Sequence, residues 1–215
     1  MLDIFLSNYD ALLEALWLTF RVTLCSLALG SVVGLVFAFF RLSSIKPLQY
    51  LANVYLALIR GMPMIVQIAI LYFGISSVVT LPQFWAGVFA LAIHNGAYIS
   101  EIFRGAIISI DKGQMEAARS LGMSYPLAMR RIILPQAFKR ALPALGNQFI
   151  ILLKESSLVA YIGMSDLWGT TMAIAGTNYQ PLKTYIVTGM FYLVLVLLFT
   201  LIFNKLEAKY SPKQS

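Results

Sequence analysis

Two long apolar runs without a charged side chain limit what this chain can fold into. They cover residues 22–40 and 184–204. A helix needs about 20 mostly apolar residues to cross the roughly 30 Å hydrocarbon core of a bilayer. The whole chain is 60% hydrophobic and only 12% charged, whereas about a quarter of the residues in a soluble domain are charged. The sequence therefore predicts an all-α integral membrane protein.

Three further segments complete a predicted set of five transmembrane helices, and they cover residues 48–77, 84–110 and 141–155. The second helix is interrupted at Arg60-Gly61-Met62-Pro63, because proline and glycine break a helix at membrane depth unless neighbouring groups satisfy the backbone. The fourth is long enough only if Lys154 and Glu155 are accepted within it. Gly30 and Gly34 have the spacing of closely packed helices. Residues 163–181 are predicted as a loop, and the absence of a repeat predicts one transmembrane domain over residues 1–215.

The basic residues of the connections are predicted to lie on one side of the membrane. They are Arg41, Lys46, Lys112, Arg119, Arg130, Arg131, Lys139, Arg140, Lys205, Lys209 and Lys213. The opposite connections, residues 1–11, 75–83 and 163–182, contain no lysine or arginine. Because basic loops stay in the cytoplasm, the N-terminus is predicted outside and the C-terminus in the cytoplasm. The net charge of +7 thus reflects topology, and no nucleic-acid partner is expected.

The connection between the third and fourth helices, residues 111–135, is the most polar long segment of the chain. Local rules predict two short helices joined by an elbow. Gly122 can adopt the left-handed conformation that ends the first helix, and Ser124 can cap the second, in which an early Pro126 needs no backbone donor. Pro135 is expected to end the second helix, which places Arg130 and Arg131 near its C-terminus.

This segment resembles the signature loop of bacterial ABC importer permeases. The matching residues are Glu116-Ala117-Ala118, Gly122, Ile132, Leu134 and Pro135. The resemblance implies that the loop docks in a cytoplasmic ATPase, with these residues as the coupling set: Glu116, Ala117, Ala118, Gly122, Arg130, Arg131, Leu134 and Pro135. An amphipathic surface helix pair is the alternative. Three further motifs resemble the amino-acid branch of the family: Arg60-Gly-x-Pro63, Gly96-Ala-Tyr98 with Glu101, Arg104 and Gly105, and Lys154-Glu-Ser-Ser-Leu158, where the family has Lys-Asp-Thr-Ser-Leu.

The sequence predicts no catalytic residues and no cofactor bound by this chain. It lacks a Gly-x-x-x-x-Gly-Lys-Ser/Thr phosphate loop, so ATP and Mg²⁺ are expected on a separate ATPase subunit. One histidine and the single Cys25 make neither a metal site nor an intrachain disulfide.

Five helices enclose little space, so a second permease copy, identical or similar, is expected. The resemblance adds a dimer of ATP-binding subunits, an extracellular or periplasmic solute-binding protein, and a place in the bacterial cell (inner) membrane.

Polar side chains within the predicted spans or close to their ends are the candidates for substrate binding, because such groups are costly at membrane depth and mark functional sites. They are Gln67, His94, Asn95, Tyr98, Glu101, Gln148, Glu155, Ser156 and Asp166. Glu101 could instead form a structural ion pair with Arg104 or Arg60.

A spare acid such as Glu155 or Asp166 favours a basic substrate, so we expect a polar amino acid, preferably arginine, lysine or histidine. Glutamine, glutamate or cystine remain alternatives for such a permease. Two alternative functions are an ion-coupled secondary transporter and a purely structural subunit. Secondary transporters usually show paired repeats.

Overall fold

A computed structural model describes residues 1–210, in which the chain is helical and contains no strand. The helices are α1 (Leu2–Leu42), α2 (Lys46–Gly61), α3 (Met64–Ala69), α4 (Gln83–Ile108), α5 (Lys112–Ser120), α6 (Tyr125–Ala128), α7 (Leu134–Glu155), α8 (Leu167–Asn178) and α9 (Pro181–Tyr210). Three further helical segments adjoin these α-helices. Ile70–Gly74 and Met129–Ile133 are π-helical turns, and Ser156–Ile162 is 3₁₀-helical. The predicted all-α class is confirmed.

Two helices, α1 and α9, are by themselves long and apolar enough to cross a membrane. The bent pair formed by α2 and Met64–Gly74 is a third candidate if it counts as one span. Helices α4 and α7 have 26 and 22 residues, lengths that can cross a bilayer. They carry polar side chains such as His94, Asn95 and Gln148, and these side chains are buried inside the protein.

Helices α1 and α4 pack at close range because glycines face the contact on both sides. A Cβ atom added to Gly34 would lie 2.6 Å from Ile99 Cγ2 and 3.0 Å from the carbonyl oxygen of Gly96. One added to Gly30 would lie 3.0 Å from the carbonyl oxygen of Ala92. The predicted role of the Gly30 and Gly34 pair in close packing is confirmed.

The predicted interruption at Arg60-Gly61-Met62-Pro63 is a bend of 107° between α2 and α3. The amide nitrogen Nε2 of Gln67 donates hydrogen bonds to the carbonyl oxygens of Ile59, at 2.7 Å, and Met62, at 2.9 Å. These carbonyls would otherwise be left without partners in an apolar environment, where an unsatisfied group costs several kcal/mol. The side chain of Gln67 therefore stabilises the bend.

Pro135 does not end a helix, contrary to the prediction. The chain remains helical from Tyr125 to Glu155, with a π turn at Met129–Ile133 directly before it. A proline in a regular helix clashes with the carbonyl four residues earlier, and a widened turn relieves that clash. Arg130 and Arg131 accordingly lie within a continuous helix and not at its C-terminus.

The predicted loop at residues 163–181 is also wrong, because most of it is α8. The carboxylate of Asp166 caps this helix by accepting the backbone N–H groups of Trp168, at 3.3 Å, and Gly169, at 3.0 Å. Leu167, Thr171, Ile174 and Ala175 are the buried residues of α8. Helix α8 thus packs into the bundle with one face.

Candidate functional site

The elbow between α5 and α6 has the predicted conformation at Gly122, whose φ is +82°. Its backbone N–H donates to Arg119 O at 3.0 Å, and the N–H of Met123 donates to Ala118 O at 3.1 Å. These bonds satisfy carbonyls at the end of α5 as a left-handed cap does. Ser124 occupies the N-cap position of α6 without a side-chain hydrogen bond.

The elbow presents most of the predicted coupling residues to its surroundings. The exposed ones are Glu116, Ala117, Gly122, Arg130, Arg131 and Pro135, whereas Leu134 is half-buried and Ala118 is buried. The most exposed large apolar residue of the elbow is Leu121, at 84%.

Packing on both sides fixes the elbow to α4 and α7. Ile107 and Ile110 at the end of α4 form one apolar cluster with Ile133 and Ala137, and Met115 of α5 packs against it. Arg140 of α7 donates hydrogen bonds to the carbonyl and hydroxyl oxygens of Ser109. The base of the elbow is therefore packed firmly against α4 and α7.

Four predicted substrate residues form two buried pairs inside the bundle. His94 Nδ1 lies 3.2 Å from Gln67 Oε1, and Gln148 Nε2 donates to Asn95 Oδ1 at 2.6 Å. The amide nitrogen of Asn95 has no hydrogen-bond partner within residues 1–210. The two pairs connect α3, α4 and α7 and leave one donor free in the interior.

Tyr98 and Glu101 belong to a neighbouring cluster that is rich in arginine. Glu101 binds Arg104 at 2.9 Å and also binds Arg41 of α1. The proposed pairing with Arg104 is confirmed, but Arg60 is not the second partner, because its guanidinium lies over the ring of Tyr98 at 5.6 Å. Arg41 is distant from Glu101 in the chain, and no sequence signal points to this pairing.

A cleft of about 510 Å³ opens beside this cluster, with Arg41, Asn53, Arg60 and Tyr98 among its lining residues. Its lining is predominantly polar, with two guanidinium groups. Arginine recognises carboxylates through paired hydrogen bonds, so this cleft can bind an anionic group.

The remaining predicted substrate residues form no hydrogen bond with these clusters in the described part of the chain. Ser156 Oγ donates to Leu153 O at 2.8 Å. Asp166 is buried, and burial raises its pKa to about 6, against the opposing effect of the N–H donors of Gly169 and Trp168. Glu155 is half-buried, and its Oε2 atom has no hydrogen-bond partner among the residues described. Of these three, only Glu155 keeps an unused polar atom.

No group of three histidine, cysteine, aspartate or glutamate residues within positions 1–210 could hold a metal ion. The interior combines amide, imidazole and guanidinium groups, which recognise polar ligands by hydrogen bonds and charge.

Apolar helices of membrane-spanning length around a polar interior define a multi-helix membrane protein, and comparison with known proteins identifies its family. Residues 30–212 match the family model described as "Binding-protein-dependent transport system inner membrane component". The chain belongs to this family. Its members are membrane subunits of transport systems, so the chain is a permease subunit and not an enzyme.

Curated relatives cover almost the whole chain. The arginine transport system permease protein ArtQ of Bacillus subtilis (strain 168) is 38% identical, over 92% of this chain and 91% of the relative. The glutamine transport system permease protein GlnP of Escherichia coli (strain K12) is 36% identical, over 92% of each chain. The L-cystine transport system permease protein TcyB of Bacillus subtilis (strain 168) is 35% identical, over 94% and 88%.

Solved structures have the same fold. One described as an amino acid ABC transporter with histidines is 40% identical, with a TM-score of 0.88 over 95% of this chain and 96% of that one. A structure of the MetNI methionine ABC transporter, at 19% identity, aligns with a TM-score of 0.83 over 96% and 99%. Because its identity is only 19%, the MetNI structure shows that the fold is shared and nothing more.

Proposed function

We propose that this chain is the transmembrane subunit of an ATP-driven, binding-protein-dependent importer of polar amino acids. The observation that carries the proposal is the elbow around Gly122, which is exposed at its tip and packed at its base onto α4 and α7. Those two helices hold His94, Asn95 and Gln148 of the buried polar pairs, so a partner that moves the elbow also moves these groups. The amino-acid permeases among its relatives support the substrate class.

In the proposed topology, five spans cross the bacterial inner membrane as one domain: α1, the bent α2 and α3 pair, α4, α7 and α9. The distribution of basic residues favours an outside N-terminus and a cytoplasmic C-terminus, although Lys213 lies outside the described residues. The elbow then faces the cytoplasm, where Glu116, Gly122 and their neighbours dock in an ATPase dimer that binds ATP and Mg²⁺. A second permease copy, identical or similar, completes the pathway, and an external solute-binding protein delivers the substrate.

A cationic amino acid is the proposed substrate, and Glu155 is the residue that supports this choice. Asp166 is occupied as the cap of α8, so it is not a free acid. Glu155 retains an oxygen without a partner in the described region, and a buried carboxylate is stabilised by a cationic ligand. Arg60, in the cleft beside Tyr98, is suited to the carboxylate that every amino acid carries.

The test is purification of the chain with its ATPase, followed by uptake into proteoliposomes that contain the solute-binding protein. We expect arginine to be carried only with ATP inside. Glu155→Gln should lower the rate of arginine uptake at limiting concentration by about tenfold, because a charge-assisted hydrogen bond contributes about 1.5–3 kcal/mol. Glutamine uptake, where present, should change little.

Glu14→Gln, which neutralises an exposed carboxylate of α1, is the matched control and should transport like the unaltered protein. If glutamine or glutamate is carried and arginine neither competes nor is carried, the cationic substrate is wrong. If no ATPase copurifies and uptake follows an ion gradient, the proposal of an ATP-driven importer is wrong.

A further inference from the structure

A groove of about 620 Å³ lies between the start of α7 and the end of α9. Its apolar wall is formed by Leu134, Phe138 and Leu142 of α7 and Leu206 of α9. The three α7 positions recur every four residues, so they lie on one face of the helix. Phe138 is 53% exposed. This face is an open binding surface on the chain.

Two cations, Arg130 and Lys139, stand at the rim of this apolar groove. Neither has a carboxylate within ion-pair distance in residues 1–210, where the only ion pairs are those of Glu101 with Arg41 and Arg104. The groove combines apolar walls with unneutralised positive charge.

The groove also adjoins the exposed apolar face of α9, a surface that suits contact with lipid. The outer face of α9 exposes a row of apolar side chains that leads to the groove: Leu193, Val194, Leu197, Leu198, Leu201 and Leu206. Lys205 and Lys209 follow at the end of the same helix. Tyr210 is the last residue of the helix. An apolar stripe that ends in basic residues and a tyrosine marks the boundary between hydrocarbon and headgroups.

We propose that this groove binds an anionic phospholipid, with an acyl chain along Phe138 and Leu206 and the phosphate between Arg130 and Lys139. Basic pockets between transmembrane helices bind anionic headgroups in this way. A zwitterionic lipid would leave the two cations without net counter-charge. The inference rests on the proposed membrane topology. It assigns Arg130 and Leu134, which the family resemblance places in the coupling set, to a lipid instead of to the ATPase.

The experiment uses the assembled transporter in nanodiscs that mix phosphatidylglycerol with phosphatidylcholine, and native mass spectrometry counts the lipids retained. Phosphatidylglycerol should be retained in preference. The double variant Arg130→Gln, Lys139→Gln should weaken its binding roughly thirtyfold, since each cation near the surface contributes about 1 kcal/mol. The charge-preserving Arg130→Lys, Lys139→Arg should retain binding, which separates loss of charge from misfolding.

The matched control is Lys46→Gln, Lys112→Gln, which removes two exposed cations outside the groove and should leave the retained lipid unchanged. Equal loss in the control, or equal retention of phosphatidylcholine, would overturn the proposal. So would lipid retained by the permease alone but not by the complex, because the ATPase would then cover the groove. A disulfide between two copies carrying Leu206→Cys in a Cys25→Ser background would make the groove a permease interface instead. None of these readouts depends on transport, so failure here leaves the proposed function standing.

Discussion

Gly122→Val is expected to lower ATP-driven uptake by at least about tenfold while the protein still assembles in the membrane. Gly122 has a φ of +82°, and an added Cβ would meet no atom within 4 Å. The substitution therefore causes no clash and acts only through the backbone, where a residue with a Cβ pays about 1–2 kcal/mol in the left-handed region and a β-branched one pays more. The elbow should then lose the angle with which it docks. Uptake and ATPase rates in proteoliposomes measure the effect.

Gly176→Val is the matched control, because Gly176 also has open space around it but lies within α8 at a negative φ. It should transport within about twofold of the unaltered chain, since a helical position accepts valine better than glycine. Gly122→Asn should recover part of the activity, because asparagine tolerates the left-handed region. Unchanged uptake by Gly122→Val would show that the elbow angle does not matter for coupling.

Gly34→Leu is expected to lower the free energy of unfolding by about 3 kcal/mol or more, the upper range for overpacking a core. The leucine would have to enter the contact between α1 and α4, where even a Cβ would lie 2.6 Å from Ile99 Cγ2. The main chain at Gly96 stands directly behind and cannot rotate away. Unfolding in mixed detergent micelles, followed by helical circular dichroism, measures the loss.

Gly189→Leu supplies the comparison, because Gly189 is exposed on α9 with nothing within 4 Å of an added Cβ. Its unfolding free energy should equal or exceed that of the unaltered protein. If Gly34→Leu were as stable as Gly189→Leu, the close approach of α1 and α4 would not contribute to the fold.

Features governed by adjacent residues were predictable from the sequence. The left-handed Gly122 and the break before Pro63 follow from the conformational limits of glycine and proline, which hold in any surroundings. The pairing of Gly30 and Gly34 with α4 was predictable in kind, because small residues at that spacing allow close approach. The identity of the facing helix was not.

Features that depend on distant partners were not predictable. Proline usually ends a helix, but the π turn before Pro135 lets α7 continue, and packing of Ile133 and Ala137 favours that continuation. Nothing in the sequence shows that Asp166 caps α8, because the predicted loop at 163–181 contains no helix to cap. Arg41 reaches Glu101 only because α1 and α4 pack together, and no sequence spacing encodes that pairing.

The candidate substrate residues divide in the same way. Helical spacing correctly placed His94, Tyr98 and Glu101 along one helix, yet it could not show that Gln67 faces His94 or that Gln148 faces Asn95. Their roles in binding stay predictions. Among the buried side-chain atoms of residues 1–210, the amide nitrogen of Asn95, one oxygen of Glu155 and the hydroxyls of Ser100 and Tyr192 have no hydrogen-bond partner, and Glu101 Oε1 has only its ion pair with Arg41.

The bend between α2 and α3 has a consequence for how the pathway opens. Gln67 ties the last turn of α2 to α3 through Ile59 and Met62, and the same side chain contacts His94 of α4. Glycine and proline at this bend suggest a hinge. A change of the angle between α2 and α3 would, however, break all of these hydrogen bonds in an apolar interior. The bend and α4 should therefore move as one rigid body. The motion that opens the pathway should occur at another contact between helices of the bundle.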